Sequence, residues 1–286
     1  MSALEPTKKR LFFEGVSPDG QAYENEDFSG SQFIDFGAKS CKFRKCRFDH
    51  CTFLRAYFRN ADFEDCSFIG SKFRDSTFRG AVFRDGAVFN YSTFRASIMP
   101  PAEMLRNQPS EPNLKLKYAR SLRQNFSELG MHDEARKFFL VELSAEYDHY
   151  CRAVSGSEPY YSNKYPTLAK RLPFYWKRFA HRSEELVWGH GVKPYRLAIS
   201  TAVGILALTL SFIIIGEGYG GEAFLSSPAT AIGDALYYTL LNFFSATHTF
   251  ATGTPLAKLL TVLTQLYGYL TLGLFVAVVY RRLSRF

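Results

Sequence analysis

From residue 43 to residue 83 a phenylalanine stands at every fifth position: Phe43, Phe48, Phe53, Phe58, Phe63, Phe68, Phe73, Phe78 and Phe83. Phe28 and Phe33 extend the register backwards, with Ala38 in the intervening place, and after a one-residue insertion Phe89 and Phe94 continue it. Two residues before each phenylalanine the side chain is small, as at Cys41, Cys46, Cys51, Ala56, Ala61, Cys66, Ser71, Ser76 and Ala81. A strand places residues i−2 and i on one face. Because five is odd, a straight strand would turn every second phenylalanine to solvent. The pattern therefore predicts a chain that turns a corner in each unit, four corners closing a square coil of twenty residues, with Phe48 under Phe68 and Phe53 under Phe73. Over residues 28–97 about three and a half coils, each rising ~4.8 Å, give a rod of roughly 17 Å. In such a rod Cys41, Cys46, Cys51 and Cys66 are small core residues, and Cys151 alone lies elsewhere, so no even disulfide framework is implied.

Beyond the coil the periodicity changes. Residues 99–113, "MPPAEMLRNQPSEPN", predict a proline-rich linker. Leu114, Tyr118, Leu122, Phe126 and Leu129 share one helical face, and Gly130 ends the run. Asp133 is placed to cap a second helix carrying Phe138, Phe139, Leu143, Tyr147 and Tyr150. The hairpin is expected to dock on the end of the coil or on a sister subunit. Between residues 164 and 196 eight Lys/Arg face only Glu184 and Glu185, interleaved with Tyr175, Trp176, Phe179 and Trp188. That composition suits a helix in the interface of a bilayer, on the side of an anionic inner leaflet.

Two uncharged runs follow, residues 197–215 and 259–280, about 28 and 33 Å long as helices. Both reach the length of a membrane span. Lys193 and Arg196 precede the first, Arg281, Arg282 and Arg285 follow the second, and the acids Glu217, Glu222 and Asp234 lie between. The positive-inside rule then puts both termini in the cytoplasm. A third uncharged segment, residues 235–257, is too polar for a span: it carries Asn242, Ser245, Thr247, His248, Thr249, Thr252, Gly253, Thr254 and Pro255. Polar backbone at membrane depth is tolerated where it lines water or is buried in protein. A re-entrant helix over about residues 231–246, starting near Asp234, followed by a loop meets both conditions.

Composition adds compartment and excludes some classes of function. The chain has 286 residues and a formal charge of +8. No secretory signal is visible, so the coil is expected in the cytosol with reduced thiols. The six histidines are scattered, and no nucleophile–base or metal motif stands out. No enzyme activity, no metal and no cofactor are expected. The domain plan is a cap segment over 1–27, the coil over 28–97, linker and helical hairpin over 98–155, a basic interfacial segment over 156–194, and a membrane domain over 195–286.

Residues 28–97 resemble the pentapeptide-repeat family, whose fold is a right-handed quadrilateral β-helix. Some members mimic DNA, which needs an acidic surface. Residues 28–95 hold twelve Lys/Arg and seven Asp/Glu, so no nucleic-acid mimicry and no nucleic-acid partner are expected. Residues 195–286 resemble the two-helix pore domain of tetrameric potassium-type channels. The resemblance implies an all-α two-transmembrane pore domain with a re-entrant pore helix, and aligns Thr249, Phe250, Ala251, Thr252 and Gly253 with the filter that reads Thr-Val-Gly-Tyr-Gly. Filter carbonyls replace the hydration shell of an ion. Ala251 stands in place of the first glycine, Thr252 in place of the bracing tyrosine, and Thr254 in place of the outer aspartate. His248, next to the filter, either braces the loop or titrates near neutral pH. Gln265, Gly268, Leu272, Phe275 and Val279 share one face of the second span and either line the pore, with Gly268 a hinge, or meet neighbouring helices.

The whole arrangement resembles pentapeptide-repeat-containing bacterial ion channels. It implies a homotetramer in the bacterial inner membrane, multi-pass, passing monovalent cations (K+ or Na+) and open to an unknown cytosolic regulator. The other readings are a non-conducting membrane-tethered scaffold and an anion-permeable pore.

Overall fold

The protein is described by a computed structural model covering residues 11–215, 228–246 and 254–283. It divides into two compact units, Met1–Tyr175 and Trp176–Phe286.

The first unit opens with the coil. On one side lie β1 (Phe12–Glu14), β3 (Gln32–Ile34), β5 (Thr52–Leu54), β7 (Lys72–Arg74) and β9 (Thr93–Arg95), paired in parallel in that order. A second side is made by β2 (Ala22–Glu24), β4 (Lys42–Arg44), β6 (Asp62–Glu64) and β8 (Val82–Arg84). Isolated bridges through Gly37, Tyr57, Thr77 and Ile98, and through Asp27, Arg47, Ser67 and Val88, form the remaining two. Partners are twenty residues apart, changing to twenty-one after the insertion, as in Phe53↔Phe73 and Phe73↔Phe94. The solenoid makes about four turns.

The predicted stacking is present. Phe48 lies on Phe68 with ring centroids 5.2 Å apart, and Phe53 on Phe73 at 4.9 Å. These offset stacks, with edge-to-face contacts inside each turn such as Phe63 to Phe68 at 5.4 Å, are favoured aromatic arrangements. The coil begins earlier than the cap assignment for 1–27 allows. Phe13 stacks on Phe33 at 4.9 Å and Tyr23 on Phe43 at 5.2 Å, so residues from 12 onward belong to it. Pro18 occupies the intervening place and breaks the aromatic run there.

The small positions do more than make room. Cys51 N–H donates to Ser71 Oγ at 3.0 Å, Ala56 N–H to Ser76 Oγ at 3.1 Å, and Ser76 N–H to Ser97 Oγ at 3.2 Å. The thiols donate outward from the core: Cys51 Sγ reaches the Phe28 carbonyl at 3.0 Å and Cys66 Sγ the Phe43 carbonyl at 3.4 Å. Burial pushes the Cys51 thiol up to about 12. Each corner is turned by a residue with positive φ two places after the phenylalanine, for example Lys45, Arg55, Asn60 and Asp65.

The end of the coil is closed by what the sequence predicts as linker. Residues 101–106 form α1 (Pro101–Arg106), since proline is accepted in the first helical turn. Phe83 N–H donates to Glu103 Oε2 at 3.0 Å, and Asn107 Nδ2 donates to the Phe83 carbonyl at 3.1 Å. The hairpin is α2 (Pro112–Glu128) and α3 (His132–Ser155). Leu114, Tyr118, Leu122 and Phe126 are buried as the periodicity predicts, whereas Leu129 is half-buried at the helix end. Asp133 lies in the first turn of α3 rather than capping it; the cap position is Met131 and makes no side-chain bond. On α3 Phe138 is buried with Ala135, Glu142 and Ala145, while Phe139, Leu143, Tyr147 and Tyr150 are half-buried.

Helix α2 docks on the open end of the coil. Tyr118 meets Phe94 edge-on at 5.9 Å, Phe94 N–H donates to Ser121 Oγ at 2.9 Å, and Ser97 N–H donates to Asn125 Oδ1 at 2.8 Å. Asn125 Nδ2 returns a bond to the Ser97 carbonyl at 2.8 Å. Asn125 thus stands where the serine of a further turn would stand.

The basic segment contains α4 (Pro159–Lys164), α5 (Leu168–Trp188) and a short 3-10 turn, Gly189–Gly191. In the second unit follow α6 (Pro194–Ile215), α7 (Pro228–Phe243) and α8 (Pro255–Leu283).

Phe63, stacked between Phe43 and Phe83 at 5.0 Å on either side, is expected to lose about 3–5 kcal/mol on conversion to alanine. The exposed Tyr57→Ala is expected to change stability by only about 0.5 kcal/mol. Far-UV circular dichroism of urea unfolding compares the two. Asn125→Ala leaves the buried Ser97 N–H and carbonyl without partners and is expected to cost about 2–4 kcal/mol by the same measurement.

Candidate functional site

Helices α6, α7 and α8 each contact the other two. Helix α7 buries Ala235, Tyr238, Thr239, Asn242 and Phe243, a single face at three- and four-residue steps. Phe212 of α6 meets Tyr238 edge-on at 5.0 Å, and the Tyr238 hydroxyl lies 3.3 Å from Thr261 Oγ1 of α8. Phe243 meets Tyr267 at 5.9 Å, and the Tyr267 hydroxyl donates to the Ser200 carbonyl of α6 at 3.0 Å. These pairings run α7 alongside the first half of α8 and against the direction of α6.

The contacts are made by small and hydroxylated residues. Gly204 admits the Tyr267 hydroxyl, with which any Cβ would collide. Gly268 lies against the Phe243 carbonyl oxygen, and a Cβ there would overlap it. Ala257, Thr261, Thr264 and Thr271 are buried beside Gly268 on α8. The threonine hydroxyls donate along their own helices, Thr239 to the Ala235 carbonyl at 2.8 Å and Thr261 to the Ala257 carbonyl at 2.9 Å. Close approach at small residues and locally satisfied hydroxyls are the means by which helices associate where no water drives burial.

Helix α7 starts and stops three residues before its predicted bounds. Pro228 opens it, and Asp234 falls in its second turn rather than at its start. Its end is a Schellman turn: Ser245 is left-handed at φ 52°, Ala246 N–H donates to the Leu241 carbonyl at 2.8 Å and Ser245 N–H to the Asn242 carbonyl at 3.0 Å.

Of the residues that the sequence nominates for the filter, Thr249, Phe250, Ala251, Thr252 and Gly253 lie outside the described residues, as does His248. Thr254 is described: its Oγ1 accepts from Ala257 N–H at 3.4 Å, which makes it the N-cap of α8 ahead of Pro255. The nominated stripe keeps one helical face, but its surroundings change along α8. Gln265 is half-buried and Gly268 is packed on α7, while Leu272, Phe275 and Val279 are 41%, 59% and 38% exposed. The short α7 covers that face only as far as Gly268. Gly268 is therefore a contact glycine for α7. The residues that sequence reasoning passed over are Tyr238 and Tyr267. The readable signal for them was the run of Thr and Gly at three- and four-residue steps from Thr261 to Thr271.

Helix α5 turns Leu168, Leu172, Trp176, Phe179 and Leu186 outward on one face, each at least 60% exposed, with basic side chains around the rest. At its end Glu185 takes Arg182 at 2.9 Å and Arg196 at 3.3 Å. The histidines are less scattered than their sequence positions: His181 and His190 lie with ring centroids 4.4 Å apart, and His190 Nδ1 is 3.3 Å from Glu184 Oε2.

Comparison with known proteins bears on the coil. Residues 38–81 match the family model described as pentapeptide repeats (9 copies). No curated protein sequence matches the chain. Among solved structures, similarity is found to HetL, a pentapeptide repeat protein involved in heterocyst differentiation regulation from the cyanobacterium Nostoc sp. strain PCC 7120. The match has 13% identity and a TM-score of 0.20, and covers 31% of this chain and 35% of HetL. A pentapeptide repeat protein of the Arabidopsis thaliana thylakoid lumen matches at 17% identity and a TM-score of 0.14, over 30% of this chain and 74% of that one. QnrB1, a plasmid-mediated fluoroquinolone resistance protein, matches at 20% identity and a TM-score of 0.15, over 32% and 54%. The chain thus spans about a third of HetL and about half of that QnrB1 chain. The N-terminal part of this protein is a pentapeptide-repeat β-solenoid, followed by an all-helical region with two helices long and apolar enough to cross a membrane.

Proposed function

We propose that the chain assembles as a homotetramer in the inner membrane and conducts monovalent cations through a pore built from α7, residues 247–253 and α8, with the solenoid in the cytosol. The exposure of the spans supports a membrane setting. Their most apolar windows are only 11% and 22% buried, whereas the core helix of a soluble protein is mostly buried, and both lie far from the N-terminus, where a signal sequence stands. The apolar face of α5, ringed by Lys and Arg, suits an anionic lipid surface leading into α6.

The observation that carries the pore reading is the depth at which α7 ends. Its last turn meets Gly268, and the chain resumes at Thr254, fourteen residues higher on α8 or about 21 Å along the helix axis. On this reading the carbonyls of residues 249–253 from the four copies replace the hydration shell of an ion at a shared axis. The C-terminal end of the α7 dipole points to the same depth and favours cations over anions. The uncovered Leu272, Phe275 and Val279 then form the lower wall, where a hydrophobic constriction can close by dewetting.

Purified protein in planar bilayers with asymmetric KCl and NaCl tests the proposal. The expected result is a current that reverses toward the cation equilibrium potential. Reversal at the chloride potential would overturn the charge argument, and the absence of current across lipids, tension and pH would favour a membrane-tethered scaffold. The double variant Ala251→Gly, Thr252→Tyr is expected to raise potassium over sodium permeability. Unchanged ratios in a conducting variant would overturn the filter alignment. Gly268→Ala is expected to lower the current roughly tenfold or more, about 1.4 kcal/mol of displaced equilibrium, because its methyl group drives the end of α7 away from α8. Gly273→Ala, which meets nothing within 4 Å, is expected to leave it unchanged.

A further inference from the structure

Outward side chains of the solenoid stand in columns, one per turn, and two of these columns alternate in charge. Glu24, Arg44, Glu64 and Arg84 are successive ladder partners. Within them Arg44 Nη2 reaches Glu64 Oε2 at 3.0 Å, and Arg84 Nε turns to Asp62 Oδ1 at 3.2 Å. At one corner Asp35, Arg55 and Asp75 alternate again, with Arg55 Nη2 on Asp35 Oδ2 at 2.6 Å. A hydrogen bond from that guanidinium holds the Asp35 carboxyl below its ordinary range.

The column Glu14, Ile34, Leu54, Arg74 and Arg95 instead ends in two like charges. Arg74 and Arg95 are direct ladder partners, two like charges one strand spacing apart, with Lys72 in the same strand as Arg74. Like charges placed opposite each other across strands are unfavourable. Among the described residues no carboxylate forms an ion pair with either arginine, although the coil supplies one for Arg44, Arg47, Arg55 and Arg84. Both arginines line a cleft of about 350 Å³ where the last turn meets α2. Lys117 and Arg120 approach from α2; Arg120 is already held by Glu142 at 2.8 Å, while Lys117 Nζ lies 5.9 Å from the Tyr91 ring. Ser121 and Gln124 add polar groups, and Glu128 is the one carboxylate in the lining.

We infer that this cleft binds a small phosphorylated ligand, of mononucleotide size or less, through Arg74 and Arg95 with Lys117. Paired guanidinium forks match phosphate oxygens in both geometry and charge, and the volume lies in the range of small-molecule sites. Glu128 opposes an anion that runs the length of the cleft, such as a nucleic-acid strand, and suits a ligand with its charge at one end and a hydroxyl or amino group at the other. The inference rests on the solenoid and α2 alone and does not depend on conduction.

Calorimetric titration of the full chain in phosphatidylcholine nanodiscs with inorganic pyrophosphate, at constant ionic strength, tests it. One saturable site per chain is expected. Affinity should fall at least tenfold in Arg74→Gln and in Arg95→Gln and stay unchanged in Arg84→Gln. Without ligand, both weakened variants should unfold at or above the temperature of the parent, because each removes a repulsion; this separates lost binding from lost folding. Adding phosphatidylglycerol to the nanodiscs tells the phosphate sources apart. Weaker pyrophosphate binding would assign the site to a lipid headgroup, and unchanged binding to a soluble phosphate. No saturable heat above matched KCl, binding that survives both substitutions, or tighter binding of a single-stranded oligonucleotide would overturn the inference.

Discussion

Every turn of the solenoid sets the stacking of inward phenylalanines against a corner that non-glycine residues resist. Lys45, Arg55, Asn60 and Asp65 all turn their corners with positive φ, which costs an L-residue roughly 1–2 kcal/mol. Nothing local favours that conformation at Lys45 or Arg55. What holds them is the ring two residues earlier, sandwiched between the rings of the turns on either side, each buried side chain contributing about 2–3 kcal/mol. Because the strain is met by contacts between turns, no turn is stable alone, and the coil behaves as a repeat array in which neighbours stabilise each other.

Such an array has an end problem. A parallel ladder leaves a row of unpaired amides and carbonyls on its last turn, a ready template for another strand. Here the chain answers with side chains rather than with another strand. Glu103 and Asn107 occupy both backbone groups of Phe83, Ser121 takes the amide of Phe94, and Asn125 takes both groups of Ser97. The buried serines at 71, 76 and 97 already do this between turns, so Asn125 continues a pattern that the repeats established. The same closure brings Lys117 beside Arg95 and so creates a cleft with an excess of positive charge.

The repeat was legible because its signal is dense: one residue type at one spacing, with a small residue at a fixed offset. The square coil, the stacked pairs and the burial of the cysteines all follow from it. Its first turn was missed because Pro18 interrupts the aromatic run, although Phe13 and Tyr23 keep the register. The segment 99–113 was misread because prolines mark a linker by composition, whereas Pro101 and Pro112 here stand in the first turns of helices. The hydrogen bonds of Glu103, Asn107 and Asn125 carry no period, since they answer backbone groups 20, 24 and 28 residues away in sequence. Of the candidate pore, the two long apolar helices and the short helix between them were legible from charge and length. The contact of Gly268 with α7 was not, because a glycine required by a neighbour reads the same in sequence as a glycine required for bending.

The length of α7 decides how the face of α8 is divided. At sixteen residues, about 24 Å, it is too short to run beside all of α8, whose twenty-nine residues extend about 43 Å. One continuous face of α8 therefore meets two environments. Thr261, Thr264 and Gly268 are small or hydroxylated because a helix lies on them; Leu272, Phe275 and Val279 are large and apolar where α7 no longer covers them. A helix made to pack along its whole length would keep small contact residues throughout, and one facing only lipid would need none. The change of residue type at Gly268 coincides with the end of α7, and the proposed pore draws on that coincidence more directly than on any other feature of the helices.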